Sequence, residues 1–553
     1  MRMTMWKSGR SVVITLALLA SVLLLRGVPL AGAVKYKLTT SVDPVGAGSL
    51  TPSGGTYSRN NYVVVTAVPV EGCRFDHWSG NLSGTENPTD YRFDDGNYTV
   101  TFVAHFVSDA GGVCEPPLPP PPPPAVPAQI VGYFPEWGVY HQPSYDVKGI
   151  VESGAADGLT IINYAFVVPA PDAGGTVVCQ LDDPVAAYQQ LYASGRSVDG
   201  STDTLSGSLR GHFNQLRQLK YLHPELKIVV SVGGWLGSTW FSDAAATAAS
   251  RQAFVTSCLK LLVDGDLPLA NGAGGPGVAA RIFDGFDLDW EYPVSGGVQG
   301  THHRSGDGAN FTLLLQEFRR QFAARGRDDG GNDDLLLTIA GPASHYRAQN
   351  FRMSEDHQYL DLVYIMTYDF HGSWERTTGH QTSLCSSPDD PASETWRMSI
   401  DRSVKLYRDQ YGVPAEKIVP GGAFYARGWK GVRTTNNGLY QRGGGAAPGK
   451  YESGADYFRD LPIDASGLAT GGFTRHWDAK ARAPWLLNPL TGVFWSYDDQ
   501  ESLGLKGEYV RFHRLGGMMF WELNGDNANG DLFDSMQQSL TATLLPESDP
   551  CTR

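Results

Sequence analysis

The chain has 553 residues, a formal net charge of −14 and 13 tryptophans, with aromatic residues making up 11% of the sequence. Such an acidic chain offers no basic surface for nucleic acid and would be repelled by an anionic membrane. Neither partner is therefore expected. The aromatic content suits a neutral polymer such as a polysaccharide, because flat rings stack on the apolar faces of sugars.

Residues 1–33 have the pattern of an export signal. After a basic start, an apolar run covers 12–25, and Ala31, Gly32 and Ala33 fit a small-residue cleavage site. The run is shorter than the roughly 20 apolar residues that a bilayer-spanning helix needs. The sequence therefore predicts a secreted protein without a membrane anchor. Removal of this segment, which is basic, would leave a net charge of about −18.

Six cysteines are scattered along the chain without CxxC spacing, which argues against a metal cluster. We expect no metal and no cofactor. Export makes disulfides possible, but six cysteines allow fifteen pairings, and the sequence does not choose among them.

Residues 34–109 are predicted to form a small all-β module. Apolar and polar positions alternate over 36–42, 62–69 and 98–106, between turns rich in Gly, Pro and Asn. Within it, the segments 52–57 (PSGGTY) and 75–80 (FDHWSG) and the dipeptide Asn87-Pro88 resemble the InlB-B-type bacterial repeat domain. The resemblance implies an accessory or adhesive module without catalytic residues. Trp78 is expected to fill its core, with a sugar-binding role for His77 and Trp78 as the alternative.

A proline-rich segment over 110–127 follows the module, with six consecutive prolines at 119–124. Such a segment cannot form a packed core and favours an extended polyproline helix. It predicts a semi-rigid spacer between two separate domains.

From 128 to 545, short apolar runs alternate with helical stretches. The helical stretches include 209–221, 246–262, 310–325 and 398–411. The predicted strands are 130–134, 161–168, 227–232, 285–290, 335–340, 362–367, 418–421 and 517–521. Eight such alternations predict an α/β fold, a (β/α)8 barrel, whose chemistry gathers at the C-terminal ends of the strands. The roughly ninety residues between the last two strands are too many for a plain loop and predict an inserted domain.

The fourth predicted strand contains an unusual group of carboxylates. With the two-residue period of a strand, Asp287, Asp289 and Glu291 point to one side, and the residues between them, Phe, Leu and Trp, to the other. Carboxyl groups so close together cannot all ionise freely, so at least one holds a proton near neutral pH. Because apolar neighbours argue against a solvated edge and position six lacks the glycine of an EF-hand loop, paired acid–base catalysis is the best interpretation.

These residues resemble glycoside hydrolase family 18. The segment from Asp284 to Glu291 matches the DxxDxDxE signature, and 231–234 (SVGG) matches the SxGG strand. The segment 366–369 (MTYD) and the closing Trp521 match two further motifs of the family. The barrel closely resembles the bacterial A-type chitinases, and 424–496 resembles their α+β chitinase insertion domain.

The resemblance implies a retaining hydrolase that uses the acetamido group of its substrate instead of an enzyme nucleophile. Glu291 would be the general acid and later the base, and Asp289 would orient the acetamide and stabilise the positive charge that develops. Asp287 would share a proton with Asp289, and Tyr368 would hydrogen-bond the acetamide carbonyl. Asp284 lies three residues before Asp287, so it does not share the face of the strand on which the other three acids lie, and we expect it to have a structural role.

Substrate-binding roles are expected for residues near the strand ends. Trp521 would be the floor under the distorted sugar, and Met366 and Asp369 would line its pocket. The other expected contacts are Tyr133, Trp137, Phe166, Trp235, Trp374, Tyr425, Arg427 and Trp429. Ser231, Gly233 and Gly234 would be small to leave room for the carboxylates and the sugar.

The sequence therefore predicts a secreted, monomeric chitinase that cleaves β-1,4 linkages in chitin and in N-acetylglucosamine oligosaccharides. One alternative is a chitin-binding lectin on the same barrel, which the presence of Glu291, Asp287, Asp289 and Tyr368 disfavours. The other is an endo-β-N-acetylglucosaminidase acting on glycoproteins, which the inserted domain disfavours because a walled groove suits a long polymer.

Overall fold

A computed structural model describes residues 35–44, 47–70, 72–94, 99–108, 128–325 and 335–553. The predicted export signal at 1–33 and the predicted linker at 110–127 lie outside the described residues. The chain divides into two compact units, Met1–Pro123 and Pro124–Arg553. No helix among the described residues is long and apolar enough to cross a bilayer.

The first unit contains two β-sheets around one apolar core. The four-stranded sheet has the order Gly54–Ser58, Lys35–Asp43, Thr99–Ser108 and Cys73–Gly80. The three-stranded sheet has the order Gly48–Thr51, Tyr62–Pro69 and Thr89–Arg92. Trp78 is buried in the core, and its indole Nε1 donates to the Glu86 carbonyl, so Trp78 has a packing role and does not form a sugar-binding face.

The second unit is built on a closed barrel of eight parallel strands, which confirms the predicted fold class. The barrel strands, numbered β1 to β8, are Gln129–Pro135, Ile161–Pro171, Lys227–Gly233, Gly285–Asp289, Leu336–Pro342, Leu362–Met366, Ile418–Ala423 and Gly517–Trp521. Each strand pairs with the next, and β1 pairs with both β8 and β2, so the sheet closes on itself. Val177–Leu181 extends β2 as an antiparallel partner.

Helices surround the barrel and cover the outward-facing side chains of its strands. The α-helices are Val147–Glu152, Gly211–Leu222, Gly234–Gly237, Phe241–Ala245, Ala248–Cys258, Asp307–Arg325, His345–Ala348, Met353–Asp356, Ile400–Lys405, Gln500–Phe512 and Asp531–Thr541. The predicted helix 246–262 begins two residues later, where Thr247 caps it, and its last turn widens into a π-helix at Leu259–Val263. Another π turn, Leu406–Gln410, ends the predicted helix 398–411.

Alternation along β4 places its carboxylates inside the barrel. Phe286 and Leu288 pack in the large apolar core between strands and helices. Asp287 and Asp289 point the other way, into the barrel interior, and both are buried. The period-two reading of this strand therefore describes its two faces correctly.

The segment between β7 and β8 forms a domain of its own. Its five-stranded sheet has the order Ala455–Tyr457, Tyr425–Trp429, Val493–Ser496, Ala483–Asn488 and Thr474–Asp478. Just after the strand Val493–Ser496, Asp498 forms a buried ion pair with Lys506 of the helix Gln500–Phe512, with Nζ 2.5 Å from Oδ2. Asp498 also accepts the amide of Ala423 at the end of β7, so this pair ties the base of the inserted domain to the barrel.

Two disulfides lie in the second unit. One joins Cys179 to Cys258, and the other joins Cys385 to Cys551. Each connects segments that are distant in sequence, 79 and 166 residues apart respectively.

Candidate active site

Asp287 is the most highly hydrogen-bonded group in the barrel interior. Its Oδ2 accepts from the Tyr133 hydroxyl at 2.7 Å, the Ser231 hydroxyl at 3.0 Å and the Asn163 amide at 3.1 Å. Its Oδ1 accepts from the Thr338 hydroxyl at 2.7 Å. Four donors from four different strands hold this carboxylate in one place and stabilise its charge.

Asp289 lies two residues farther along β4, above Asp287. Burial raises the pKa of its carboxyl well above the usual range, and the charge of Asp287 and a hydrogen bond to Asp287 raise it further. The pair therefore holds a proton that sits on Asp289, as expected for two neighbouring carboxyls. Asp289 Oδ1 is buried and has no hydrogen-bond partner among the described residues, so it is free to bind an incoming polar group.

Glu291 follows at the end of the same face. Burial raises the pKa of this carboxyl to about 7, a hydrogen bond with Tyr292 lowers it, and the charge of Asp369 raises it. A carboxylic acid that titrates near neutral pH is suited to give and take protons in water. Glu291 thus differs from Asp289, whose proton is held far more tightly.

Tyr368 lies beyond the end of β6, close to these carboxyls. The charges of Asp289 and Glu291 raise its pKa, after burial, which has the largest effect. Its hydroxyl donates to the Met519 sulfur at 3.8 Å, a weak bond that a better acceptor can replace. Met366, at the end of β6, is half-buried and packs in the same barrel-interior cluster as Tyr368.

An aromatic floor lies beside the carboxyls. The centroid of the Trp521 ring lies 5.5 Å from the ring centroid of Tyr133, 5.9 Å from that of Phe166 and 6.0 Å from that of Trp137. The Phe166 ring lies nearly parallel to Trp521, with 19° between the planes. These four rings come from β1, β2 and β8 and the turn after β1, which are neighbours around the barrel.

The inserted domain contributes one wall of the site. Arg427 forms a two-point ion pair with Asp369, at 2.6 and 2.9 Å, and the Tyr425 hydroxyl donates to the same carboxylate at 2.7 Å. The Arg427 guanidinium also lies over the ring of Trp374, which is more than half exposed. Trp429 is fully buried in the inserted domain and cannot contact substrate, so its predicted binding role is wrong.

Close packing explains the two glycines at the end of β3, Gly233 and Gly234. A Cβ atom on Gly233 would lie 2.6 Å from the Asp289 carbonyl oxygen, and one on Gly234 would lie 2.6 Å from the Phe166 ring. Both glycines have positive φ, a region that disfavours other residues. Trp235, in the next turn, is half exposed at the mouth.

Asp284 is set apart from the other acidic residues of the motif. Both of its carboxylate oxygens accept from Lys220, at 2.7 and 2.8 Å, and one accepts the amide of Ile228. This carboxylate fastens the start of β4 to β3 and to the helix Gly211–Leu222.

Three functional contacts were missed in the sequence. Asn163 and Thr338 are single polar residues inside apolar strands, at positions that point inward. A polar residue at such a position is the sequence feature that could have identified them. Tyr292, the residue after Glu291, is half-buried and hydrogen-bonds Glu291. No sequence pattern distinguishes it from a packing tyrosine.

The architecture is that of a glycoside hydrolase: a closed (β/α)8 barrel with neighbouring carboxyl groups and an aromatic floor at the C-terminal ends of its strands. The chain belongs to the glycosyl hydrolases family 18, whose sequence profile matches residues 129–526. The divergent InlB B-repeat domain matches residues 38–110.

Several chitinases are similar to this chain. Chitinase A1 of Niallia circulans is 37% identical over 448 residues, covering 76% of this chain and 60% of that protein. Chitinase C of Streptomyces lividans is 34% identical over 411 residues, covering 74% and 59%. The chain thus spans about three fifths of the length of these curated relatives.

Among solved structures, the catalytic domain of the psychrophilic chitinase B from Arthrobacter TAD20 superposes with a TM-score of 0.69 at 36% identity. The match covers 76% of this chain and 98% of that one.

Proposed function

We propose that the protein is a chitinase that hydrolyses β-1,4 linkages between N-acetylglucosamine units of chitin and its oligosaccharides, without a cofactor and as a monomer. Family membership and the similarity to chitinases support this activity. The observation that carries the proposal is the free Asp289 Oδ1, buried between the Asp287 carboxylate and Glu291 beside the aromatic floor. A buried polar atom of this kind needs a partner, and an acetamide N–H of the substrate supplies one.

Catalysis begins when Glu291 gives its proton to the glycosidic oxygen while the substrate's acetamide oxygen attacks the anomeric carbon. The bond to the leaving sugar breaks, and an oxazolinium-like ring forms within the substrate. Asp289 accepts the acetamide N–H at its Oδ1, and the negative charge that it shares with Asp287 stabilises the positive charge that develops. Glu291, now ionised, removes a proton from water, which opens the ring with retention of configuration.

Residues around this centre hold the sugar in place. Tyr368 exchanges its weak bond to the Met519 sulfur for the acetamide carbonyl. Trp521 supports the distorted ring, with Tyr133, Trp137 and Phe166 around it. Met366, Trp235 and the Asp369–Tyr425–Arg427 group line the cleft.

The test is the isosteric substitution Glu291→Gln, assayed on N-acetylglucosamine oligosaccharides. Hydrolysis should fall at least about a thousandfold, since a general acid contributes about 10²–10⁴-fold and here also acts as the base. Binding of the oligosaccharide, followed by calorimetry, should stay nearly unchanged. Residual activity within tenfold of the wild type would exclude Glu291 as the acid.

Glu136→Gln is the matched control for that experiment. Glu136 is another buried carboxyl group of the barrel unit, but it accepts a hydrogen bond from Tyr164 in the layer between strands and helices. The same chemical change there should leave activity within about twofold of the wild type, because burial raises the pKa of Glu136 to about 9 and keeps it neutral.

We also propose that the protein is exported and that the first unit is an accessory domain. The basic and apolar pattern of 1–33 supports export, and N-terminal sequencing of protein collected from the medium tests it. The proline-rich segment 110–127 supports independent domains on either side. Removal of 34–127 should leave activity on soluble oligosaccharides unchanged, and an inactive truncation would refute the separation.

A further inference from the structure

A pair of exposed aromatic rings lies outside the site described above. Tyr346 and Trp396 are 49% and 55% exposed, and their ring centroids are 6.1 Å apart. Tyr346 lies in the short helix His345–Ala348 that follows β5, and Trp396 lies in the segment that follows β6. Single exposed rings are common on protein surfaces, but two adjacent ones at the active end of a barrel form a candidate binding surface.

Arg347 connects this pair to the acid. Its guanidinium carbon lies 5.1 Å from the centroid of the Tyr346 ring and 5.6 Å from that of Tyr292. Its Nη1 donates to the Ser295 carbonyl at 2.9 Å, which fixes the guanidinium in place. Since Tyr292 contacts Glu291, an unbroken series of contacts leads from the acid to the exposed rings.

The barrel order places this pair opposite the aromatic floor. The floor comes from β8, β1 and β2 with the turn after β1, whereas Tyr292, Tyr346 and Trp396 follow β4, β5 and β6. Strands follow one another in numerical order around the closed barrel, so the two groups lie on opposite halves of its mouth. A polymer with its scissile bond at Glu291 and one sugar on Trp521 therefore extends, on the other side, towards Tyr346 and Trp396.

We propose that Tyr346 and Trp396 form an outer subsite that binds sugar units of a long, uncharged β-1,4-linked N-acetylglucosamine chain, distant from the cleaved bond and opposite Trp521. The inference rests on the proposed function, because it takes the substrate class from it. Each ring is partly solvated, as stacking on a sugar face requires, and the two ring planes are inclined at 49° to each other. The subsite adds affinity only for chains that are long enough to reach it.

The experiment compares a trimer and a hexamer of N-acetylglucosamine and colloidal chitin as substrates for Trp396→Ala, Tyr346→Ala and the double variant. The expected result is a loss of about threefold to tenfold in kcat/KM for the hexamer and colloidal chitin, and a change of less than about twofold for the trimer. Trp396→Phe, which keeps a ring, should recover most of the loss. Tyr221→Ala, at a ring that is 88% exposed on the helix Gly211–Leu222, is the control and should leave kcat/KM unchanged for all three substrates.

A second measurement separates failure of this inference from failure of the proposed function. Calorimetric binding of the hexamer and trimer is compared between Glu291→Gln and Glu291→Gln combined with Trp396→Ala. Weaker binding of the hexamer alone supports the outer subsite, even if the wild type proves inactive and the proposed function fails. Equal loss for both oligomers, or no loss for either, overturns it.

Discussion

The hydroxyl of Tyr133 on β1 donates a 2.7 Å hydrogen bond to Asp287 on β4, across the interior of the barrel. It is one of four donors that stabilise the ionised form of Asp287 and so keep the shared proton on Asp289. The position of that proton is set by strands distant in sequence, not by the acidic motif itself. The acidic motif and its hydrogen-bond donors thus form one functional unit.

Tyr133→Phe tests this unit. The substitution removes one hydrogen bond to a charged group, worth about 1.5–3 kcal/mol, so kcat should fall about tenfold to a hundredfold. The ionised form of the pair also loses stabilisation, so the acidic limb of the pH–activity profile should move to higher pH. A purely structural role would lower stability without moving that limb, and an unshifted profile would contradict the assignment.

The alkaline limb of the pH–activity profile should report the ionisation of Glu291. Because burial raises the pKa of Glu291 to about 7, the acid is protonated below that pH and activity should decline as pH rises through it. The hydrogen bond from Tyr292 lowers this pKa, so Tyr292→Phe should move the alkaline limb to higher pH. The measurement is kcat/KM against pH for both proteins, and a limb that moved downward would refute the role of Tyr292.

The sequence predicted the local features of the fold and site well. The last strand, 517–521, was predicted with the bounds that the structure has, and the alternation along β4 was predicted correctly because it depends only on neighbouring residues. Asn163 and Asp287 are 124 residues apart, and Arg427 and Asp369 are 58 apart. Such pairs depend on how strands close into a barrel, so local patterns do not reveal them. The burial of Trp429 was likewise decided by packing within the inserted domain.

The ion pair of Lys506 and Asp498 should be important for stability. Both side chains are almost completely buried, and Lys506 also donates to the Thr382 hydroxyl at 2.8 Å. Lys506→Met leaves the Asp498 charge buried without its partner, which costs about 3–5 kcal/mol of unfolding free energy. Lys480→Met is the control, because its pair with Asp389 is more than half exposed and should contribute less than about 1 kcal/mol. Denaturant titration of both variants checks the difference, and equal losses would contradict it.

Glu136 should make the stability of the barrel depend on pH. Burial raises the pKa of its carboxyl from its ordinary value of about 4.5 to about 9 in the folded protein, so between these values the folded state binds a proton that the unfolded state has released. The contribution is fully present below about pH 4.5 and is lost as pH rises to about 9, because the unfolding free energy falls wherever the folded state binds more protons.

Glu136→Gln removes this proton and keeps the shape of the side chain. Unfolding free energies of the two proteins, measured by denaturant titration at several pH values from 5 to 9, should therefore diverge. The wild type should lose stability relative to the variant with a slope that corresponds to about one proton. Parallel curves would show that Glu136 is ionised in the folded protein, and the hydrogen bond from Tyr164 would then be made to a charged carboxylate.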